Sequence, residues 1–376
     1  MSALVPLREQ LVALGGYHSL QAEAEVRLNT NESPYPPPAA WQRALADAVS
    51  EVEFHRYPDR DATELRAGIA ELHRVRPEEV FCANGSNEVL QCLLIAFGGP
   101  GRRALVFEPT YALHAHIAGL TGMEVVTERR GADLRVDPKG WAAAIERVGP
   151  DVVFLCSPNN PTGRIEDPGV VAGILDAAPG LVVVDEAYGE FSSWSALGLR
   201  APVRAPVRAD QGGAPGAAPA AAPRAEGLVV VRTFSKNWAM AGARLGYLVA
   251  DAEVVAGCRA ASLPYHLSAQ TQLAGVLALR YRDEMAERVG KVAEARAQLA
   301  HGLAQLDVET WPSDANFLLF RPRGKDARAV WSALFAEGVL VRDFSSREGL
   351  EGCLRVTVGT PKENERFLEA LAGALR

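Results

Sequence analysis

A set of short, apolar, β-branched runs separated by helix-like stretches constrains this chain most. The runs are Ala104–Phe107, Val152–Cys156, Leu181–Val184, Leu228–Val231 and Leu245–Ala250. A strand with one wet face alternates polar and apolar residues, whereas a strand covered on both faces does not. These runs barely alternate. Between them lie segments such as Val89–Phe97, apolar on almost every side and ended by Gly98-Gly99-Pro100, as expected of a buried helix. Alternating strand and helix predict an α/β sandwich around a mostly parallel sheet. Ligands of such sheets sit beyond the carboxyl ends of the strands, and the polar motifs of this chain fall just after the runs.

At 376 residues the chain exceeds what one compact core usually fills, so a large domain and a smaller one are expected. A long Ala/Glu/Arg helix beyond about residue 280 leads into a C-terminal unit with strands near Phe317–Phe320 and Leu354–Val358. Ala201–Glu226 stands apart: ten Ala, five Pro and three Gly in 26 residues offer little to bury, which predicts a flexible surface insertion. Its Arg204, Arg208 and Arg224 are either a basic contact patch or charges that keep a loop solvated. The net charge of −7 argues against a general binder of nucleic acid or anionic membrane. Five scattered cysteines, none in a CxxC pair, suit reduced thiols in a cytoplasmic protein. No stretch approaches the roughly 18 apolar residues of a membrane helix, and the N-terminus lacks the pattern of a signal peptide.

Four motifs carry candidate chemistry. Thr233-Phe234-Ser235-Lys236 follows the run Leu228–Val231; a lysine among apolar neighbours can become a nucleophilic amine, or it is a solvated surface lysine. Asp185-Glu186-Ala187-Tyr188 follows Leu181–Val184. A buried Asp185 needs a cationic partner, which a protonated pyridine nitrogen would supply, with Tyr188 donating to a phenolate-type oxygen. The alternative is a helix cap and a core tyrosine. Ser157-Pro158-Asn159-Asn160-Pro161-Thr162-Gly163 is a rigid turn, able to hold the Asn160 amide against a ligand or serving as a turn alone. Asn84-Gly85-Ser86-Asn87-Glu88 opens the apolar helix, and free backbone N–H groups there bind anions such as a phosphate ester, unless Ser86 is merely a cap. Arg244 can add a cation to the same phosphate. None of the seven histidines, His114 and His116 included, has metal-ligand spacing, so no metal is expected.

Together these are the parts that hold pyridoxal phosphate. On SPNNPTG (157–163), VVDEAYGEF (183–191) and TFSKNWAMAGARLGY (233–247), in this order, the chain resembles the fold-type I pyridoxal-phosphate aminotransferases. NESPY (31–35), RYPD (56–59), EPTYALH (108–114), PSDANFLLF (312–320) and LRVTVGT (354–360) make it similar to the histidinol-phosphate group of that superfamily.

The resemblance implies roles position by position. Lys236 matches the family's Schiff-base lysine and proton shuttle. Asp185 matches the residue that keeps the pyridine nitrogen protonated, and Asn160 with Tyr188 the pair that bonds the 3′-oxygen. Tyr111 matches the aromatic residue stacked on the ring. Gly85, Ser86, Asn87, Thr233, Ser235 and Arg244 match the cofactor cradle, Asn87 standing where the family usually has an acid. Tyr57 resembles a residue that reaches the cofactor of a partner subunit, which implies a homodimer with shared sites. Arg355, Arg342, Tyr17 and Asn31 match positions around the substrate. The implied reaction is ping-pong: L-histidinol phosphate gives its amino group, through the cofactor, to 2-oxoglutarate, yielding imidazole acetol phosphate and glutamate in histidine biosynthesis. An aminotransferase for aromatic amino acids and a threonine-phosphate decarboxylase remain alternatives. The implied layout is an N-terminal segment (1–39) joining the small domain, a large cofactor domain (40–265) and a small C-terminal domain (266–376). Trp238 and Met240 differ from the usual residues after the lysine and stand close enough in sequence to alter substrate choice.

Overall fold

The computed structural model describes residues 22–200 and 226–376, together with Val5 and Leu11. The proposed insertion and Tyr17 therefore lie outside the described residues, apart from Glu226.

The strands, in chain order, are β1 (Val26–Leu28), β2 (Val80–Ala83), β3 (Arg103–Glu108), β4 (Glu124–Arg129), β5 (Val152–Cys156), β6 (Leu181–Asp185), β7 (Leu228–Thr233), β8 (Gly246–Val249), β9 (Val308–Thr310), β10 (Phe317–Pro322), β11 (Val339–Asp343) and β12 (Leu354–Thr357). Seven of them form one sheet in the order β2-β8-β7-β6-β5-β3-β4. It is parallel except around β8, which runs antiparallel to β2 and β7. All five runs read from the sequence lie in this sheet.

Their lack of alternation has a direct cause. Val183, Val229 and Val231 point into a core shared with Leu90, Leu93 and Leu94 of helix Ser86–Phe97. The intervening Val182, Val184 and Val230 point into a second core, with Ile145 of helix Trp141–Val148 and Ile174 of helix Pro168–Ala177. Successive side chains of a strand face opposite ways, so two dry faces require an unbroken apolar run. The edge strand β4, EVVTER, has no fully buried residue and its polar character hid it in the sequence.

The other sheet has the order β1-β11-β12-β10-β9. Here β1 pairs in parallel with β11, Val26 opposite Val339, so residues from the start of the described chain complete a sheet built from its end. Helices Arg282–Leu303, Ala327–Ala336 and Pro361–Leu375 supply Leu299, Leu334 and Phe367 to its core. Helix Ala269–Arg280 packs instead on a third core with Trp41, Leu65 and Tyr247, and Trp41 Nε1 donates to the Ala274 carbonyl at 3.2 Å.

Arg200 and Gly227 flank residues 201–225, and both bind Asp251: Arg200 Nη2 to Oδ1 at 3.1 Å, the Gly227 N–H to Oδ2 at 3.2 Å. The chain leaves and re-enters the fold at one point. A loop closed there can lengthen at small entropic cost without moving β6 or β7. All five cysteines are buried and unbonded. No helix among the described residues is long and apolar enough to cross a membrane.

Candidate active site

A cleft of about 350 Å³ opens at the carboxyl ends of β5, β6 and β7 and is closed on its far side by β11, β12 and residues 29–32. Ser86, Asn87, Tyr111, Asn160, Asp185, Tyr188, Thr233, Ser235, Lys236 and Arg244 line it, and so do Asn31, Arg342 and Arg355. Residues dispersed over some 320 positions of sequence thus meet, most of them at or just beyond the ends of strands and helices.

Lys236 stands three residues past β7. Its Nζ donates to the Thr30 carbonyl at 2.9 Å. Burial and the positive charge of Arg355, partly opposed by Glu32, with Arg244 adding to the repulsion, lower the ammonium pKa from 10.5 to about 8. An amine with so weakened a hold on its proton suits nucleophilic attack.

Asp185 ends β6, opposite Cys156 of β5, and is only 2% exposed. Its Oδ1 accepts the Ala187 N–H at 3.0 Å, a local turn rather than the helix cap given as the alternative. Its Oδ2 lies 2.9 Å from His114 Nε2. His114 is itself buried, stacked on Phe154 with ring centroids 5.0 Å apart. The sequence offered His114 only as an unconvincing metal ligand. Its true position was legible only in part, because EPTYALH sets His114 three residues after Tyr111 and hence one helical turn on. The other acid of the motif, Glu186, points the opposite way and binds Arg232.

Tyr188 Oη accepts from Asn31 Nδ2 at 2.9 Å. Burial raises its phenol to about 12, against the opposing charge of Arg355. The hydroxyl therefore keeps its proton, and with Asn31 acting as donor that proton is available to an acceptor in the cleft. Asn31, at φ 56°, also accepts at Oδ1 from the Thr357 hydroxyl, so it fixes Tyr188 and β12 together. Asn160 Oδ1 accepts from Arg355 Nη1 at 2.5 Å.

The anion-binding end is built from the first turn of helix Ser86–Phe97. No side chain caps it, so its leading N–H groups are open to a ligand. Ser235 Oγ lies 3.0 Å from Thr233 Oγ1 and accepts from Arg244 Nη1 at 3.4 Å. Gly85, at φ +84°, leaves the guanidinium its place: a Cβ there would sit 2.4 Å from Arg244 Nη2. Two N–H groups, a hydroxyl and a guanidinium around one hollow fit a phosphate. Tyr111 donates to Asn87 Oδ1 at 3.2 Å and stands edge-on to His114.

At the other end, Arg342 and Arg355 are register partners on β11 and β12. Both guanidiniums lie over the Phe344 ring, at 5.9 and 5.4 Å. Arg355 also donates to the Asn29 carbonyl at 2.8 Å.

One expectation changes. Trp238 and Met240 are buried in the core with Phe234 and Tyr247 and do not line the cleft; the turn after Lys236 carries them away, so they have no direct contact with a substrate there. Tyr57 is not among the cleft residues of its own chain. It is 80% exposed and stacked on Tyr265 at 4.5 Å.

The model of the family "Aminotransferase class I and II" matches residues 23–371, and the chain belongs to that family. It is a pyridoxal-phosphate-dependent aminotransferase of fold-type I. More particularly, it is similar to the histidinol-phosphate aminotransferase of Nocardia farcinica, 46% identical over 97% of this chain and 90% of the relative. It is similar also to that of Corynebacterium efficiens, 42% identical over 98% and 94%. The crystal structure of histidinol-phosphate aminotransferase from Sinorhizobium meliloti in complex with pyridoxal-5′-phosphate superposes with a TM-score of 0.80, at 25% identity over 94% of this chain and 91% of that one. The residues in the cleft fit that cofactor: an amine of lowered basicity, a buried carboxylate and a phosphate cradle surround one cavity.

Proposed function

We propose that the enzyme moves the amino group of L-histidinol phosphate to 2-oxoglutarate, giving imidazole acetol phosphate and glutamate in histidine biosynthesis. The observation that carries the reading is one cleft lined both by Lys236 and Asp185 and by the paired Arg342 and Arg355. An amine-reactive site beside a pair of guanidiniums then matches a substrate that carries both an amine and a phosphate. The names of the relatives at 42% and 46% identity support the same substrate.

When bound, pyridoxal phosphate supplies an aldehyde for the amine and a ring that accepts electron density. On this reading Lys236 would hold the cofactor aldehyde and carry protons. Asp185, held by His114, would supply the negative charge that favours a protonated ring nitrogen. Tyr188, Asn160 and Tyr111 would hold the ring. Ser86, Asn87, Thr233, Ser235 and Arg244, with room left by Gly85, hold the phosphate. Arg355 takes the carboxylate of glutamate and, with Arg342, the phosphate of histidinol phosphate, and Asn31 sets the Tyr188 hydroxyl. Tyr57, exposed on its own chain, reaches the phosphate in a partner subunit, so the enzyme is a homodimer with shared sites, working in the cytoplasm. Its division is a segment (1–39) with a small domain (266–376) and a large domain (40–265), helix Ala269–Arg280 packing on the large-domain residues Trp41, Leu65 and Tyr247.

The test is glutamate formation from histidinol phosphate and 2-oxoglutarate, read with a coupled glutamate dehydrogenase. Stoichiometric glutamate supports the proposal. Carbon dioxide without glutamate, from threonine phosphate, would identify a decarboxylase instead, and preference for an aromatic donor would identify the aromatic-acid enzyme.

A further inference from the structure

We infer that Arg347, on the loop between β11 and β12, is a specificity-determining residue for the distal anion of the amino donor. The inference rests on the substrate reading above. Arg342 and Arg355 stand at the two ends of this loop, and Arg347 lines the same cleft. It is not carried loosely. The Arg347 N–H donates to the Phe344 carbonyl and its own carbonyl accepts from Leu350, both at 2.9 Å. Leu350 and Cys353 are fully buried against Leu319, which anchors the loop in the smaller sheet.

The guanidinium is held by one corner. Its Nη2 donates to Glu108 Oε2 at 2.8 Å and to the Thr110 carbonyl at 2.9 Å. Among the described residues nothing engages Nε or Nη1. The side chain is 28% exposed, so these donors are open to a ligand entering the cleft. A planar fork with one corner fixed and the rest open suits a phosphate oxygen. A dianionic phosphate gains more from a third guanidinium than a carboxylate of single charge does. Arg347 therefore favours histidinol phosphate over glutamate as donor.

A different role is conceivable on the same contacts. Arg347, with the Arg129–Glu348 ion pair, straps the loop to the segment carrying Tyr111, and loss of a strap would harm every donor alike. The experiment separates the two. KM and kcat are measured for histidinol phosphate and for glutamate as donors, in the native enzyme, Arg347→Gln and Arg347→Lys. We expect Arg347→Gln to raise KM for histidinol phosphate at least about tenfold, with kcat within about threefold and KM for glutamate changed less than about threefold. Arg347→Lys keeps the charge but not the planar fork, so its KM for histidinol phosphate should fall between those of Arg347→Gln and the native enzyme. Equal losses with both donors, a fall in kcat at unchanged KM, or no change overturns the assignment. A native enzyme that uses glutamate but not histidinol phosphate overturns the substrate reading itself, and this assignment with it.

Discussion

At the scale of single residues, chemistry at this site comes from position rather than from residue type. Lys236 is one of five lysines, but burial and Arg355 bring it to about 8. The sign follows from the charge state: burial penalises the ammonium, so the neutral amine dominates above about pH 8 instead of above 10.5. Uptake of pyridoxal phosphate by cofactor-free protein should therefore accelerate about tenfold per pH unit below 8 and level off above it. In Arg355→Gln, with a like charge removed, the midpoint should move upward. A rise that continues towards pH 10.5 in the native protein would contradict the assignment. Gly85 makes a second residue-scale case. Alanine there meets a left-handed backbone and the Arg244 guanidinium, so Gly85→Ala should weaken cofactor affinity by roughly tenfold or more, read by titration of the cofactor-free protein.

Among elements, the loops after β3 and β5 are tied by one side chain. Asn159 is fully buried. Its Oδ1 accepts from Thr110 at 2.6 Å and Arg130 at 3.2 Å; its Nδ2 donates to the Pro109 carbonyl at 3.1 Å and to Thr162 at 2.9 Å. Arg130 in turn pairs with buried Glu166. Asn159→Ala would strand several buried polar groups at once, and should destabilise the fold by about 2–4 kcal/mol in urea melts, whereas a change near zero would show that the network is not needed. This network was invisible in the sequence. SPNNPTG signals a turn and offers two asparagines without saying which faces the cleft: Asn160 does, and Asn159 holds the loops. By contrast the strands β5, β6 and β7 were legible, because two dry faces leave a continuous apolar run. The edge strand β4 and the parallel pairing of β1 with β11 were not, since one is polar and the other depends on residues more than 300 positions apart.

For the whole molecule, the exposed stack of Tyr57 on Tyr265, with Phe54 and Leu263 also exposed, is the surface that the shared-site proposal requires. Mixing Lys236→Ala chains with Tyr57→Ala chains and allowing exchange should produce hybrid dimers in which one of two sites is intact, so activity should recover to about a quarter of native. No recovery, in a mixture shown by sedimentation to have exchanged, would contradict a shared site. The site as a set was readable from motif order along the chain; its partners across chain and sheet, such as His114 on Asp185 and Asn31 on Tyr188, emerged only from the folded arrangement. The account as a whole depends on which amine bears the cofactor. Borohydride reduction of protein loaded with pyridoxal phosphate, followed by digestion and peptide mass mapping, should place the label on the peptide containing Lys236 and leave Lys236→Ala unlabelled. A label on another lysine, or equal labelling of the variant, would contradict it.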